Sequence, residues 1–443
     1  MRHASLVRGL YFLSDYEHAE NEGELCLELL RHNNGQPFLP FLQRLAWSSQ
    51  SRERISRDLH TLISCVGALQ GLRVTFSSHS YDLVGPSEDD THAMESTVRF
   101  ISTHSPSLRE LKFQWHGPPS TRRSELPLMR HLRSLDTYHS PTIVLGPLDI
   151  YALLTSTPLE RMEVRVEGFF AETLPAAPLQ ALSLQEVGFM GMCIDLVGIM
   201  AYIHAPALKK ITMGISDQNY MALSDFCTCV RRAASQSYSF RKLQVHISYC
   251  QSYPPMPRPA PIHMLWSDIL RPCFALPELD TLKLELVSHR FALHMDDDDA
   301  RLFAQAMPRL RIFYLHSSCA EARVPSPRAL LHFATHCPLL EQLELVGLEG
   351  GPIPECNSAI APSTPSQVHP LQWLWLTVAR TPVEDPQRFI AYLLSLFPSV
   401  ELGFVAQRSF NNPEAVTSWW GIRSGLTSSR RAQQQAIACS SVI

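Results

Sequence analysis

Glycine is scarce, at 19 of 443 residues, and the glycine-dependent signatures of phosphate loops and nucleophile elbows are all missing. No H-E-x-x-H stands in for them. Nothing local therefore supports an enzyme, a cofactor or a metal, and the sequence reads as that of a non-catalytic protein. The 11 cysteines are odd in number and contain no C-x-x-C pair, which speaks against a disulfide framework and a zinc module. A reducing, intracellular compartment, cytoplasmic or nuclear, is expected. No sign of charge dominates: a formal net charge of -4 exerts no broad pull on phosphate backbones or anionic lipid, so nucleic acid is not expected as the partner. No apolar run reaches the roughly 20 residues of a bilayer span. The most apolar stretch, Met190 to Ile203, carries Asp195 and reads as a buried helix, and the short run Leu10 to Leu13 meets Asp15 and Glu17 at once, unlike a signal peptide.

What the chain does have is a hydrophobic content of 45% against 18% charge, enough for a folded core over most of its length, and one phrase that keeps returning. The phrase is L-x-x-L-x-L. It occurs as Leu42-Leu45-Trp47, Leu69-Leu72-Val74, Leu108-Leu111-Phe113, Leu159-Met162-Val164, Leu179-Leu182-Leu184, Leu208-Ile211-Met213, Phe240-Leu243-Val245, Leu279-Leu282-Leu284, Leu310-Phe313-Leu315, Leu340-Leu343-Leu345 and Leu371-Leu374-Leu376, with weaker copies at Leu132-Leu135 and Val400-Leu402-Phe404. The period of two within each copy predicts a short strand with one apolar face. A proline stands four or five residues before ten of these 13 copies, and the segments before the prolines have helical spacing, as in Phe389-Tyr392-Leu393-Leu396. The unit is helix, proline turn, strand. Stacked in register, such units predict an α/β solenoid with a parallel sheet on the concave side and helices on the convex side. The expected division is a helical cap over residues 1–37, about 13 irregular repeats over 38–409, and over 410–443 a C-terminal cap followed by a disordered tail from about Thr427.

The run of copies resembles the leucine-rich-repeat superfamily, in an irregular form that lacks the usual asparagine after the strand. Phrases such as His104-Ser105-Pro106-Ser107-Leu108-Arg109-Glu110-Leu111, His204-Ala205-Pro206-Ala207-Leu208-Lys209-Lys210-Ile211 and His336-Cys337-Pro338-Leu339-Leu340-Glu341-Gln342-Leu343 resemble the repeats of fungal F-box-type proteins. That resemblance implies a substrate receptor of a ubiquitin ligase. An F-box would precede the repeats, yet Met1 to Phe38 has neither its length nor its Leu-Pro-x-Glu start, so a ligase adaptor is implied as a partner only if an F-box lies upstream. The classes left beside this one are a hydrolase with an unrecognised site and a repeat remnant without a role.

Three spacers, Ser77 to Asp90, Gln251 to Pro261 and Glu349 to Pro370, exceed the needs of the repeat and read as surface loops, the second with P-x-x-P spacing. The acidic run Asp296 to Asp299 lacks the pattern of a calcium loop and is expected to cap the helix that follows. Cys227 and Cys229, two apart on a helix, diverge and read as core thiols. His104, His204, His336 and His369 stand beside proline turns and read as turn residues, not bases.

The residues between the apolar strand positions face a partner. The expected protein-binding surface includes Lys112, Arg165, Lys283, Tyr314, His316, Trp373 and Trp375, and its C-terminal end is favoured because Tyr and Trp are the usual anchors of interfaces. Trp419 and Trp420 are expected to fold back over the last repeat.

Overall fold

The computed structural model describes residues 7–14, 28, 31–34, 36–49, 58–66, 68–77, 88–116, 130–137, 143–169, 177–216, 221–248, 262–287, 291–317, 322–354, 369–379, 381–404 and 413–440. They form two compact units, Met1–Met213 with Gln236–Ser239, and Gly214–Ser235 with Phe240–Ile443.

In the first unit the strands are β1 (Gly9–Ser14), β2 (Arg44–Ser49), β3 (Gly71–Ser77), β4 (Glu110–His116), β5 (Ser134–Asp136), β6 (Val144–Leu145), β7 (Arg161–Val166), β8 (Leu179–Gln180), β9 (Glu186–Gly191), β10 (Ile203–His204) and β11 (Lys210–Ile215). The helices are α1 (His60–Ser64), α2 (Glu88–His104), α3 (Pro147–Ser156) and α4 (Cys193–Tyr202). The sheet runs β1-β2-β3-β4-β5-β7-β9-β11, with β6 beside β7 and a separate small pair of β8 and β10. The second unit holds α5 (Met221–Ser235), β12 (Lys242–Ser248), β13 (Ile262–Leu265), α6 (Trp266–Leu270), β14 (Thr281–Val287), β15 (Phe291–His294), α7 (Asp297–Ala306), β16 (Ile312–Ser317), α8 (Arg328–His336), β17 (Gln342–Leu348), β18 (Trp373–Ala379), α9 (Pro386–Leu396), β19 (Glu401–Phe404) and α10 (Pro413–Ser440). Its sheet runs β12-β14-β16-β17-β18-β19, and β13 pairs with β15. Neighbouring strands are parallel, as in β2 with β3 and β17 with β18, and helices lie between strands in sequence, so each unit is a repeat-like α/β assembly.

Two hydrogen-bond devices repeat along the chain and hold the strands in register. At the entrance to a strand, two consecutive amides donate to one carbonyl of the strand before: Gln43 and Arg44 to Arg8, Gln70 and Gly71 to Gln43, and Gln185 and Glu186 to Glu160. The second unit continues in the same way, with Arg311 and Ile312 donating to Asp280 and Glu341 and Gln342 to Arg311. Just ahead of many of the strands lies a tight turn closed by the first apolar residue of the phrase, as in Leu108 N–H to Ser105 O, Leu310 to Met307 and Leu340 to Cys337. Proline follows the first residue of these turns because its fixed φ suits that corner of a type I turn. In these copies the expected helix–proline turn–strand unit is observed.

The register device corrects one copy. Leu182 is 67% exposed and outside any strand, while Val187 is 3% exposed and pairs with Met162. The true phrase is Leu184-Val187-Phe189, all buried. Leu182 follows Ala181 in the turn that Leu184 closes, the place proline takes elsewhere. The middle apolar residue of this copy thus moves from 182 to 187, which sets it 25 residues after Met162 and 24 before Ile211, the middle residues of the neighbouring copies. Pro178 belongs to the approach to β8 instead.

Three further readings change. The segment expected as a helical cap contributes strand β1, whose Leu10 pairs with Leu45, making Val7-Leu10-Phe12 another copy of the phrase. Met190 to Ile203 divides among the end of β9, helix α4 and the first residue of β10, with Met192 extended at the N-cap between strand and helix. The chain from Thr427 continues as helix to Ser440: Ala415, Trp419, Ile422 and Leu426 lie on one stripe and are all buried, anchoring the first half of a 28-residue helix. The P-x-x-P segment and most of the three long spacers lie outside the described residues.

The core is the set of phrase residues packed beneath the helices. In the second unit Phe303 of α7, Phe313 of β16 and Phe333 of α8 are fully buried and touch in series, with ring centroids 5.5 and 5.4 Å apart. Such tilted pairs add about 0.5–1.5 kcal/mol each beyond the area they bury. The acidic run does cap α7: Asp296 accepts the Asp299 amide at 2.8 Å, and Asp299 returns a bond to the Asp296 amide at 3.3 Å. Cys227 is core; Cys229 is half-buried, with its thiol pushed upward by burial. Among the described residues no helix is long and apolar enough to cross a membrane, and no group of three or more His, Cys, Asp or Glu residues could hold a metal ion.

Candidate functional site

Alternation in the strands leaves one set of side chains outside the core. In β7 the apolar Met162, Val164 and Val166 are buried, and Arg161, Glu163 and Arg165 are not. Each unit therefore has an open sheet face, and the seven residues expected to meet a partner divide between the two faces. Lys112 and Arg165 belong to the first unit, the other five to the second.

In the first unit the face forms a groove of about 530 Å³ lined by Tyr11, Arg44, Arg73, Glu110, Lys112, Asp136 and Arg161 among others. Most of its charges are paired with one another. Lys112 Nζ lies 2.5 Å from Asp136, and Arg161 lies 2.7 Å from Glu163 and 3.7 Å from Glu186. Arg44 reaches Glu110 at 4.0 Å across β3, over Gly71, where a Cβ would stand 3.3 Å from the Arg44 chain. Arg73 donates to Gln114 at 3.1 Å. Exposed pairs of this kind contribute little stability, and they leave the surface close to neutral. Arg165 is half-buried two residues further along β7, away from Lys112, with no carboxylate in ion-pair range among the described residues.

The second unit is different. Register places Lys283, Tyr314, Glu344, Trp375 and Gly403 in one row across β14, β16, β17, β18 and β19. Adjacent strands are about 4.8 Å apart, so the row from Lys283 to Trp375 covers about 14 Å. Three of the predicted residues are thus brought together, and Trp373 joins them from two positions earlier in β18, its ring centroid 6.3 Å from that of Trp375. His316 is the exception. It is only 8% exposed, with Nδ1 3.3 Å from Glu344 Oε1, so it serves the surface by holding Glu344 rather than by meeting a partner. Burial and the neighbouring Glu344 and Glu285 raise the Tyr314 phenol well above its ordinary value, and its hydroxyl stays protonated.

Trp373 is 38% exposed and Trp375 partly so. Neither closes the end of the unit. That task falls to Trp419 of α10, buried edge-on against Phe389 at 5.3 Å, with its indole N–H donating to Thr381 O at 3.3 Å. The Trp375 ring instead lies flat over β19: a Cβ on Gly403 would stand 2.6 Å from the indole carbons, so only glycine permits this placement. Trp373, Trp375, Glu401, Arg423, Arg430 and Arg431 line a groove of about 300 Å³ between the last strands and α10. The sequence reading gave the arginines no role: Arg423 fell in the expected cap, and Arg430 and Arg431 in the tail expected to be disordered from about Thr427. Their signal was present in the buried stripe Ala415, Trp419, Ile422 and Leu426, which sets the helix and turns Arg423 and Arg430 to the groove.

Of the four histidines expected beside the turns, His104 and His336 are the last residues of α2 and α8, His204 lies in β10, and His369 precedes β18. His369 Nε2 lies 3.1 Å from Cys337 O, and its Nδ1 accepts the Leu371 amide at 3.2 Å. That arrangement needs the neutral ring, and burial lowers its pKa accordingly. His204 Nδ1 lies 2.7 Å from Gln236 Oε1, and His104 stacks on Phe100. No protein-family model matches the chain, and no curated protein is detectably similar to it, so the likeness to F-box-type repeats rests on the sequence phrases alone.

Proposed function

We propose that the chain is a protein-binding module of the leucine-rich-repeat type, and that its partner docks on the open sheet face of the second unit. The observation that supports this reading is the pair Trp373 and Trp375, held side by side on an open face by a glycine beneath one ring, where packing elsewhere would have hidden them. Solvent-facing tryptophans in a half-walled groove are the side chains on which interface energy concentrates. Among the described residues the groove of the first unit has one aromatic side chain, Tyr11, and most of its charges are paired with one another. The test is affinity capture of the tagged chain from the cells that make it, compared by quantitative mass spectrometry with Trp373→Ala/Trp375→Ala. Loss of a partner in the variant is expected; an unchanged set refutes the docking site. Substrate recognition for a ubiquitin ligase is the finer form of the reading and is carried by the sequence phrases. Recovery of a cullin and its adaptor in the same capture supports it, and their consistent absence refutes it.

A further inference from the structure

The geometry points to an acidic, extended peptide segment as the ligand of the groove between β18, β19 and α10, an inference that rests on the docking reading above and gives its partner a chemistry. Charge comes first. On the sheet beyond the groove Glu285 and Glu344 are hydrogen-bonded to His246 and His316, at 3.0 and 3.3 Å; in the groove itself the one lining carboxylate among the described residues, Glu401, is already engaged by Arg430 at 3.1 Å. The cations are not. Among the described residues no carboxylate lies within ion-pair distance of Lys242, Lys283, Arg423 or Arg431. Arg423 rests 5.0 Å over the Trp420 ring, which orients the guanidinium without neutralising it. A groove with spare cations along its wall selects an anionic partner and repels a basic one.

Spacing comes second. Trp373 and Trp375 are alternate residues of one strand, and their ring centroids are 6.3 Å apart. An extended chain advances about 3.3 Å per residue, so its own alternate side chains recur every roughly 6.6 Å. A peptide laid along β18 therefore puts successive same-side apolar groups on the two rings, with its acidic residues towards Arg423 and Arg431. A compact anion would use one ring and leave the other uncovered.

The experiment uses the full chain and three fluorescein-labelled decapeptides with two phenylalanines at alternate positions, flanked by glutamate, by lysine or by serine, followed by fluorescence polarisation. The glutamate peptide is expected to bind at least tenfold more tightly than the lysine peptide, and more weakly as salt is added. Arg423→Glu with Arg431→Glu is expected to reverse the preference, a gain for the lysine peptide that a misfolded variant would not show. Gly403→Val, which forces the Trp375 ring off β19, is expected to weaken every peptide. Equal binding of the lysine and glutamate peptides overturns the acidic assignment. So does a glutamate affinity unchanged by the double arginine variant, displacement of the peptide by adenosine triphosphate at matching concentration, or no binding of any peptide. A serine peptide that binds without charge preference and is lost with Trp373→Ala/Trp375→Ala overturns the acidic inference while sustaining the docking reading, and so separates the two failures.

Discussion

The register of β9 can be tested by three substitutions whose ranking depends on whether position 182 or position 187 holds the strand. Val187→Ala removes two buried carbons, worth about 1.6 kcal/mol by transfer and about 2–3 kcal/mol once the cavity left behind is included. Leu182→Ala removes three carbons and would cost about 3–5 kcal/mol at a core strand position. In this structure Leu182 is largely in water, so its loss changes stability by no more than about 0.5 kcal/mol. Leu182→Pro sharpens the contrast: proline in a central strand breaks the ladder, whereas at this corner of the turn seven sister turns already carry it, at Pro40, Pro106, Pro206, Pro277, Pro308, Pro338 and Pro398. There it stiffens the unfolded chain and raises stability by about 0.4–1 kcal/mol. Urea unfolding followed by far-UV circular dichroism gives the three midpoints. The expected order is Leu182→Pro at or above wild type, Leu182→Ala indistinguishable from it, and Val187→Ala clearly lower. A midpoint for Leu182→Ala as low as that of Val187→Ala would show that the strand is misplaced.

Acid should weaken the fold in a defined window. His60, His332 and His369 all have folded-state pKa values below the ordinary 6.5, each chiefly through burial, so the unfolded chain binds protons more readily. Stability is then fully present above about pH 6.5 and lost as the pH falls below it. Thermal melts between pH 8 and 5 check this, and His369→Gln should flatten the decline; an unaltered slope would remove His369 from the account. Asp296→Ala deletes the cap of α7 and should cost about 1 kcal/mol, read as a lower urea midpoint. Adding calcium should leave the wild-type midpoint where it is, and a calcium-dependent rise would favour a cation site at Asp296 to Asp299 over a cap.

The sequence by itself determined the repeating unit. Apolar period two followed by helical spacing, with proline between, can be satisfied only by strand, helix and turn, because each demand is local to a few residues. It determined the cap at Asp296, the turn role of His369 and the exposure of Trp373 for the same reason. Tertiary structure decided what local rules leave degenerate. Leu179-Leu182-Leu184 and Leu184-Val187-Phe189 are equally good strands on paper, and only the shared carbonyl of Glu160 selects the second. His316 alternates outward like its neighbours, yet it is buried beside Glu344, two strands' contributions meeting where no single strand shows it. Arg423 and Arg431 line the same groove as Trp373 and Trp375 only because a stripe from Ala415 to Leu426 binds α10 against the end of the sheet, bringing together residues some fifty positions apart. Which face a strand presents is written in its period; which partners that face acquires depends on packing between segments that share no local pattern.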